Sequence, residues 1–277
     1  MILFPCCKIN LGLNIVGVRP DGYHDIETVF YPIPLFDTLE ITEMDARFPS
    51  QSDCDLKVTG NKVDCDEQNN LVVKAYEVMR LSHPIPRVHI HLHKSIPSQA
   101  GLGGGSADAA YTLRLLNKLF GLGMTQEKLQ KMAAKLGADC PFFIGDKAAY
   151  ATGIGDILST LDNFSLAGFW LGVVKPDISI STAEAYAKVK VEKTMISCLD
   201  IVRQDVDTWP GRLTNSFEAS VYSGHPRLRQ IKEKLYDMGA DYAQMSGSGS
   251  AHFGIFRSKP TRLNEQFPDD FTFVCQL

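Results

Sequence analysis

Short apolar runs separated by turn residues fill the N-terminal part of the chain, a pattern that is typical of β-strands. The clearest of the turns is Arg19-Pro20-Asp21-Gly22, where the proline presets one backbone dihedral and the glycine tolerates a positive one. The strands predicted around this turn cover residues 2–7, 11–18, 29–33 and 39–42.

Apolar residues at helical spacing follow in the middle of the chain. They predict helices at 70–81, 107–119 and 126–136, with Thr125 as the N-cap of the third helix. A strand is predicted between the first two helices, at 87–94.

Beyond Asp156 the pattern of apolar residues predicts a second series of strands and helices. The elements predicted there are helices at 182–189 and 225–238 and strands at 169–174, 242–246, 252–256 and 271–275. Many connections are too short for parallel crossovers, which favours an α+β fold over a doubly wound sheet. A boundary near residue 160 predicts two domains, 1–160 and 161–277.

Charge and cysteine usage exclude several classes of protein. The formal charge of −4, from 28 basic and 32 acidic residues, gives no field that would recruit nucleic acid or an anionic membrane. The seven cysteines form no CxxC pair, so reduced thiols in the cytoplasm explain them most simply. The N-terminus is apolar for only seven residues before Lys8, which is too short for a secretory leader or a membrane span.

The strongest chemical signal is IPSQAGLGGGSADAA, at Ile96–Ala110. Four glycines, at 101 and 103–105, would let backbone N–H groups approach an anion closely. The helix predicted behind them would add unpaired N–H groups and the positive end of its dipole. This order predicts a phosphate site; the alternative is a mobile loop before a helix capped by Ser106 or Asp108.

The glycine segment fits none of the commoner phosphate motifs. Gly105 is followed by Ser106-Ala107 rather than by Lys-Ser/Thr, which excludes a P-loop. Ser106 also stands where a dinucleotide fingerprint would have its third glycine. The sequence contains neither a protein-kinase catalytic loop nor an Asp-Phe-Gly triplet.

Two other segments carry groups suited to phosphoryl transfer. Lys8 and Asn10 share one face of a predicted strand, and Asp139 follows the predicted helix that stops at Gly137. Phosphoryl transfer needs a group that accepts the hydroxyl proton and cations that offset negative charge. Asp139 and Lys8 supply both if they meet in space, although each alone is more often a solvated surface charge.

Three weaker signals have structural explanations. Met245–Ser250, rich in serine and glycine, is predicted to be a plain hairpin turn. The alternating histidines at 89, 91 and 93 are predicted to form an exposed polar face rather than a metal site. Cys7 and Cys140, beside the candidate catalytic residues, are expected to serve packing.

Together the glycine segment, Lys8-Ile9-Asn10 and the Ser/Gly turn resemble the three motifs of the GHMP small-molecule kinases. Residues 8–30, LGADCPFFI from Leu136 and NSFE from Asn215 are similar to the branch that acts on a cytidine-diphosphate-linked methylerythritol in non-mevalonate isoprenoid synthesis. The departures from the family pattern, at Cys6-Cys7 and at Ser98-Gln99-Ala100, remove no group that does chemistry.

The resemblance implies a two-domain fold, with an N-terminal domain like domain 2 of ribosomal protein S5 and a ferredoxin-like C-terminal domain. It implies ATP and Mg²⁺ as cofactors, Lys8 and Asp139 as catalytic residues, and Lys94 near the adenine. The substrate-binding residues that it implies are Asn10, Tyr23, His24, Thr182 and Tyr186. The phosphate loop that it implies consists of Pro97, Ser98, Gln99, Ala100, Gly101, Leu102, Gly103, Gly104, Gly105, Ser106 and Ala107.

The implied activity is ATP-dependent phosphorylation of the substrate's 2-hydroxyl, with Asp139 taking the proton while Lys8 holds Asp139 and offsets negative charge. Two alternatives stay open. A sibling kinase of mevalonate or homoserine would need a carboxylate-binding arginine and gives no reason for Tyr23-His24. A non-catalytic nucleotide-binding module has no use for both Lys8 and Asp139.

Overall fold

The computed structural model describes residues 1–63, 65–187, 189, 191 and 196–277. The strands are β1 (Ile2–Leu3), β2 (Cys6–Val18), β3 (His24–Phe36), β4 (Thr38–Glu43), β5 (Cys54–Gly60), β6 (Val88–Lys94), β7 (Ala149–Thr152), β8 (Ile157–Thr160), β9 (Trp170–Lys175), β10 (Tyr242–Met245), β11 (His252–Phe256) and β12 (Phe271–Gln276). The helices are α1 (Leu71–Ser82), α2 (Gly104–Leu119), α3 (Gln126–Ala133), α4 (Phe142–Gly145), α5 (Thr182–Ala187), α6 (Cys198–Val202), α7 (Glu218–Gly224), α8 (Pro226–Asp237) and α9 (Leu263–Gln266). Short 3-10 turns lie at Glu67–Asn69 and Val206–Thr208.

The chain forms two compact units, each assembled from separate segments. Unit 1 comprises Met1–Cys7, Leu35–Ser98 and Gly103–Asp146, and unit 2 comprises Lys8–Pro34, Gln99–Leu102 and Lys147–Leu277. The boundary predicted near residue 160 concerns family domains and stays a prediction.

Unit 1 is built on a four-stranded sheet with the strand order β1-β4-β6-β5. Strand β4 runs antiparallel to β1 and β6, whereas β5 runs parallel to β6. Helices α1 and α2 pack on each other, and α2 also contacts β4. The helix that begins at the glycine segment is therefore held by a packed core.

Unit 2 contains two sheets, with the orders β2-β3-β7-β8 and β10-β11-β9-β12. The second sheet is antiparallel throughout. Helices α7 and α8 share a buried apolar cluster with this sheet, to which Val174, Phe217 and Met245 contribute. The turn between β10 and β11 and the residues before α7 are thus fixed by one core.

The structure confirms most elements predicted from periodicity. Helix α1 is capped by Asn70, whose side chain accepts a hydrogen bond from the Val72 N–H, and α3 is capped by Thr125. Helix α8 begins at Pro226. The predicted strands of the C-terminal part appear as β9, β10, β11 and β12. The prediction at 182–189 is met by α5 as far as Ala187, and Lys188 lies outside the described residues.

Other predictions were wrong in their bounds or missed an element. The strands expected at 2–7 and 11–18 are instead the short β1 and one long strand, β2, which includes Lys8 and Asn10. Helix α2 starts at Gly104 rather than at 107, because a left-handed Gly103 serves as its N-cap. Periodicity did not indicate β5, β7 or β8, since β5 and β8 are largely exposed and β7 and β8 have four residues each.

Within the part of the chain that the structure describes, no helix combines the length and the apolar character needed to cross a membrane.

Candidate active site

In unit 1 the glycine segment opens directly into helix α2. Gly103 adopts the left-handed conformation, with φ of 72°, and neither Ser106 nor Asp108 occupies the capping position. Gly104, Gly105 and Ser106 form the first turn and are partly or fully exposed. Because the first N–H groups of a helix have no intrahelical acceptor, this turn can bind an anion.

In unit 2 the three residues before Gly103, residues 100–102, are held by hydrogen bonds that their carbonyl groups accept. The Ala100 carbonyl accepts a hydrogen bond from the Ala251 N–H at 3.0 Å, and the Gly101 carbonyl accepts one from the Ser246 hydroxyl at 2.9 Å. The Leu102 carbonyl accepts a third, from the Lys8 N–H at 2.9 Å. The Ser/Gly turn joins β10 and β11 as the predicted hairpin, and it also holds the backbone of Ala100 and Gly101 in the predicted phosphate loop.

A buried cluster of charge in unit 1 lies where strand β6 leads into the loop. The Lys94 ammonium donates hydrogen bonds to Asp37 and, at 2.6 Å, to Asp108 on α2. Asp37 also accepts hydrogen bonds from the backbone N–H groups of Ser95 and Ile96, at 2.6 and 2.8 Å. One cluster thus ties together the end of β6, the start of the loop and the first turns of α2.

Two carboxylates share one ammonium in this cluster, which perturbs the pKa values of its members. Burial above all, together with repulsion from Asp37, raises the pKa of Asp108 to about 7 against the opposing attraction of Lys94. Burial also lowers the pKa of Lys94, but attraction to both carboxylates outweighs it and raises that pKa overall. Among the described residues, the Asp108 Oδ1 is buried without a hydrogen-bond partner, which suits a protonated carboxyl.

Asp139 lies in the turn between α3 and α4 and is half-buried. Its neighbour Cys140 is fully buried and contacts the Ser106 side chain, while burial raises the pKa of the thiol to about 12. An inert thiol agrees with the predicted packing role, as does the complete burial of Cys7. The Asp139 segment therefore adjoins the first turn of α2 within unit 1.

Lys8 and Asn10 do share one face of β2, as predicted, and both are buried. The Lys8 ammonium donates a hydrogen bond to the Asn10 Oδ1 at 2.7 Å and lies 4.8 Å from the centre of the Phe30 ring. The Asn10 side-chain N–H donates to the Thr28 hydroxyl at 3.0 Å. The ammonium is thus oriented by β2 and β3 of unit 2.

An aromatic group in unit 2 brings together residues from distant parts of the sequence. The His24 and Tyr186 rings lie 4.7 Å apart at 34°, and the Phe217 ring meets Tyr186 edge-on at 4.8 Å. Tyr23 is 61% exposed, and Thr182 begins α5, the helix that carries Tyr186. Of the five predicted substrate residues, His24 and Tyr186 are therefore in contact. Tyr23 adjoins His24 in the chain, and Thr182 lies one helical turn before Tyr186.

A cavity of about 310 Å³ lies next to the end of β6 in unit 1. Its apolar lining comes from Leu56, Val58 and Val63. Asn61, which also lines it, donates a backbone hydrogen bond to the Lys94 carbonyl at 2.8 Å. This cavity could receive a flat apolar ring beside the Lys94 backbone.

The three histidines of β6 form a polar face, as predicted. His91 and His93 both hydrogen-bond the Thr59 hydroxyl, and His89 pairs with Asp55. No group of three metal-ligating side chains occurs among the residues that the structure describes.

Family models match both halves of the chain. The model of the GHMP kinases N terminal domain matches residues 70–147, and that of the GHMP kinases C terminal matches residues 200–269. The chain belongs to the GHMP kinase family. The family assignment explains why a glycine segment outside the P-loop pattern leads into a helix, and it implies the use of ATP.

Curated relatives extend the similarity over the full length. A protein of Parabacteroides distasonis named 4-diphosphocytidyl-2-C-methyl-D-erythritol kinase is 48% identical over 279 residues, which cover 100% of both chains. A protein of Bacteroides fragilis with the same name is also 48% identical, over 277 residues and 100% of both chains.

Solved structures agree with this family. A crystal structure of 4-(cytidine 5'-diphospho)-2C-methyl-D-erythritol kinase shares 28% identity and a TM-score of 0.81, covering 99% of this chain and 98% of the other. The mevalonate kinase of Methanococcus jannaschii, with 14% identity and a TM-score of 0.71 over 100% and 98% of the chains, shows the fold alone. This GHMP kinase therefore has the two-domain mixed α/β fold of its family.

Sequence analysis missed Asp37 and assigned Asp108 at most a capping role. Asp37 lies 57 residues from Lys94 in sequence, and no motif links the two. The only local signal was a carboxylate between two apolar strands, at a position that the sheet then buries completely. The predicted role of Lys94 near the adenine stays a prediction, and its ammonium is engaged by the two carboxylates.

The cluster predicts a pH dependence of stability. Between pH 4 and 7, roughly, the native Asp108 binds a proton that the unfolded chain has released, because its native pKa of about 7 exceeds the ordinary value of 3.8. The free energy of unfolding should therefore fall as the pH rises through this window, while Lys94 titrates above it. Asp108→Asn, which mimics the protonated acid, should show a flatter profile in urea unfolding at pH 5 to 8. Parallel profiles for the two proteins would contradict this assignment.

Proposed function

We propose that this GHMP kinase phosphorylates the 2-hydroxyl of 4-(cytidine 5'-diphospho)-2-C-methyl-D-erythritol with ATP, in the methylerythritol phosphate route to isoprenoid precursors. One observation carries the proposal: identity of 48% over whole chains to relatives named for this activity. The solved structure that is 28% identical bears the same name, whereas solved structures of mevalonate and homoserine kinases are 13–18% identical.

The proposed chemistry divides the work between named residues. The first turn of α2, from Gly104 to Ser106, would bind phosphate oxygens through backbone N–H groups. Asp139 would accept the proton of the substrate hydroxyl, whose oxygen forms the new P–O bond while ADP leaves with the electrons of the bond that breaks. Lys8 would offset negative charge on the transferring group.

Mg²⁺ would supply further neutralisation of phosphate charge when bound. Mg²⁺ favours oxygen ligands and keeps several waters, so a protein needs to supply only one or two groups. The Ser106 hydroxyl, partly exposed at the start of α2, fits that requirement. We propose that Ser106 holds the ion.

The two bases would bind in different units. The 310 Å³ cavity beside the Lys94 carbonyl would receive the adenine of ATP. The cytosine would stack on Tyr23 and on the His24–Tyr186 pair, with Asn10 and Thr182 as further substrate contacts. At a centroid distance of 4.7 Å, His24 and Tyr186 leave no room for a base between them, which needs about 7 Å. The base would therefore stack on an outer face, or the two rings would separate.

His24→Ala tests the choice of base. Stacking tolerates any base, whereas a polar match to the cytosine edge can reject an unmatched analogue. We expect kcat/KM for the cytidine substrate to fall roughly 10- to 100-fold, ATP binding to persist, and the preference over the uridine analogue to narrow. His89→Ala, at a β6 histidine that pairs with the exposed Asp55, is the control and should change none of these values. An unchanged cytidine-to-uridine ratio would remove His24 from base recognition.

A direct assay tests the activity itself. Purified protein with γ-labelled ATP would be offered the cytidine-diphosphate-linked methylerythritol, mevalonate and homoserine in parallel. We expect label transfer only to the first, at its 2-hydroxyl. Transfer to mevalonate or homoserine would indicate a sibling kinase, and ATP binding without transfer to any alcohol would indicate a non-catalytic module.

The finer fold assignments are also proposals. The C-terminal order β9-α-β10-β11-α-β12 with the sheet order β10-β11-β9-β12 supports a ferredoxin-like domain. For the N-terminal domain we propose the S5 domain 2 type. We further propose that the protein acts in the cytoplasm on small molecules alone. Its seven cysteines form no disulfide in the structure, and five of them are buried, which supports a reducing compartment.

A further inference from the structure

The segment Asn215–Glu218 matches the family pattern but has no role in the chemistry proposed above. Its last residue, Glu218, is the first residue of α7. The Asn215 and Phe217 side chains are 4% and 2% exposed. Its backbone is joined to β2, since the Leu13 N–H donates to the Thr214 carbonyl and the Ser216 N–H donates to the Leu13 carbonyl, both at 2.8 Å. Strand β2 therefore holds the backbone at the start of this segment in place.

Asn215 uses its whole side-chain amide. Its two N–H groups donate to the carbonyls of Met245 and Gly247, both at 2.8 Å. Its Oδ1 accepts from the Phe217 N–H at 2.9 Å. A carboxylate could not replace this group, because it has no hydrogen to donate to the two carbonyls.

The turn that Asn215 holds is the one that anchors the phosphate loop. Ser246 lies between the two carbonyls that Asn215 binds, and its hydroxyl donates to the Gly101 carbonyl at 2.9 Å. The packing is close on both sides, since a Cβ built on Gly101 would lie 1.9 Å from the Ser246 carbonyl oxygen. A shift of this turn therefore moves Gly101 with it.

Two residues further on, Phe217 supports the aromatic group. Its ring meets Tyr186 edge-on at 86°, and Tyr186 in turn packs against His24. The Phe217 ring belongs to the buried cluster of unit 2, whereas Tyr186 lies only at its margin. Phe217 thus fixes the orientation of a ring that the core alone does not enclose.

We propose that the segment Asn215–Glu218 positions two different parts of the site, one through Asn215 and the other through Phe217. Asn215 sets the Ser/Gly turn and hence the phosphate loop for ATP, and Phe217 sets Tyr186 for the base of the second substrate. The Phe217 half rests on the proposed function, while the Asn215 half requires only that the protein binds ATP. Neither residue touches a reacting atom.

Two substitutions test the roles of Asn215 and Phe217 separately. Asn215→Asp keeps the shape of the side chain but loses both donors, so the Kd of a non-hydrolysable ATP analogue should rise about 5- to 100-fold. The KM of the cytidine substrate at saturating ATP should stay within about twofold. Phe217→Leu keeps an apolar side chain but loses the ring edge, so that KM should rise about 2- to 12-fold while the Kd of the ATP analogue stays constant.

Matched controls distinguish positioning from general destabilisation. Phe256→Leu removes an equally buried ring from the same cluster, and Asn117→Asp removes a similar side-chain donor to the Met124 carbonyl. Both should lower the melting temperature without shifting either constant selectively. If Asn215→Asp does not fold, Ser246→Ala removes the hydrogen bonds of this hydroxyl to the Gly101 carbonyl and from the Asn10 N–H, and it should raise the Kd of the ATP analogue. If Phe217→Leu does not fold, Phe217→Met tests the role of Phe217 and should raise the KM of the cytidine substrate.

The outcomes separate this inference from the proposed function. A selective rise of one constant in each variant supports the positioning segment. Equal changes of both constants, or changes no larger than those of the controls, would overturn it. If the wild-type protein does not phosphorylate the cytidine substrate, the proposed function and the Phe217 half fail together, whereas the Kd of the ATP analogue still decides the Asn215 half.

Discussion

Asp139→Asn is expected to lower kcat by about 10² to 10⁴, the span that a positioned proton acceptor contributes. The amide has nearly the same size as the carboxylate but cannot take the proton of the substrate hydroxyl. The fold and the ATP affinity should survive, because the amide keeps the shape of the side chain and Asp139 is only half-buried. Single-turnover assays and calorimetric titration with an ATP analogue measure the two quantities separately.

The control for this substitution is Asp162→Asn, at an exposed carboxylate that pairs with Lys147. It removes a negative charge from the protein without touching the turn at Asp139, so kcat should stay within about twofold of wild type. Near-normal turnover of the Asp139 variant would show either that this aspartate is structural or that transfer to an alcohol here needs no base. The catalytic assignment would then be abandoned.

Gly101→Ala is expected to raise the Kd of ATP by about 10² or more. Gly101 has a φ of +73°, and an added methyl group would lie 1.9 Å from the Ser246 carbonyl oxygen. The left-handed backbone costs roughly 1–3 kcal/mol for a residue with a Cβ, and each 1.4 kcal/mol is about a factor of ten in affinity. The clash adds to this strain, so the loop or the turn must move.

A graded series makes this prediction specific. Gly104 lies in the helix, and a Cβ there would meet the Ile96 Cγ2 at 2.9 Å rather than a backbone oxygen at 1.9 Å, so Gly104→Ala should weaken ATP binding less than Gly101→Ala does. At Gly224, in the last turn of α7, no described atom lies within 4 Å of an added Cβ, and Gly224→Ala should leave ATP affinity unchanged. Circular dichroism should show a folded protein in all three. Normal ATP affinity in Gly101→Ala would place the phosphate site elsewhere.

The glycine segment and the helix behind it could be predicted from sequence because their signals are local, whereas the phosphate role of the segment stays a prediction. Glycine marks positive φ values such as those of Gly101 and Gly103, and apolar spacing marks α2. The start of α2 was misplaced because glycines usually weaken helices, whereas here Gly104 and Gly105 occupy the first turn. In that turn the N–H groups lack helical acceptors anyway, which makes glycine less costly there.

The pairing of distant residues could not be predicted from sequence. Asp37 and Lys94 meet because β4 and β6 are neighbouring strands, and His24 meets Tyr186 although 162 positions separate them. Nothing in the local sequence distinguishes Asp37 from a solvated surface carboxylate. Such pairs depend on strand order and on which face is buried, and both are properties of the assembled sheets.

The sequence by itself determined the family and the alternation that places Lys8 and Asn10 on one face of a strand, because short motifs and strand alternation are local features of the chain. Only the tertiary structure decided that the Ser/Gly turn is an anchor and that Asn215 holds it. It also decided that Lys94 is shared between two buried carboxylates. Hydrogen bonds and charges gain their effect from what surrounds them, and burial removes the water that would otherwise satisfy them.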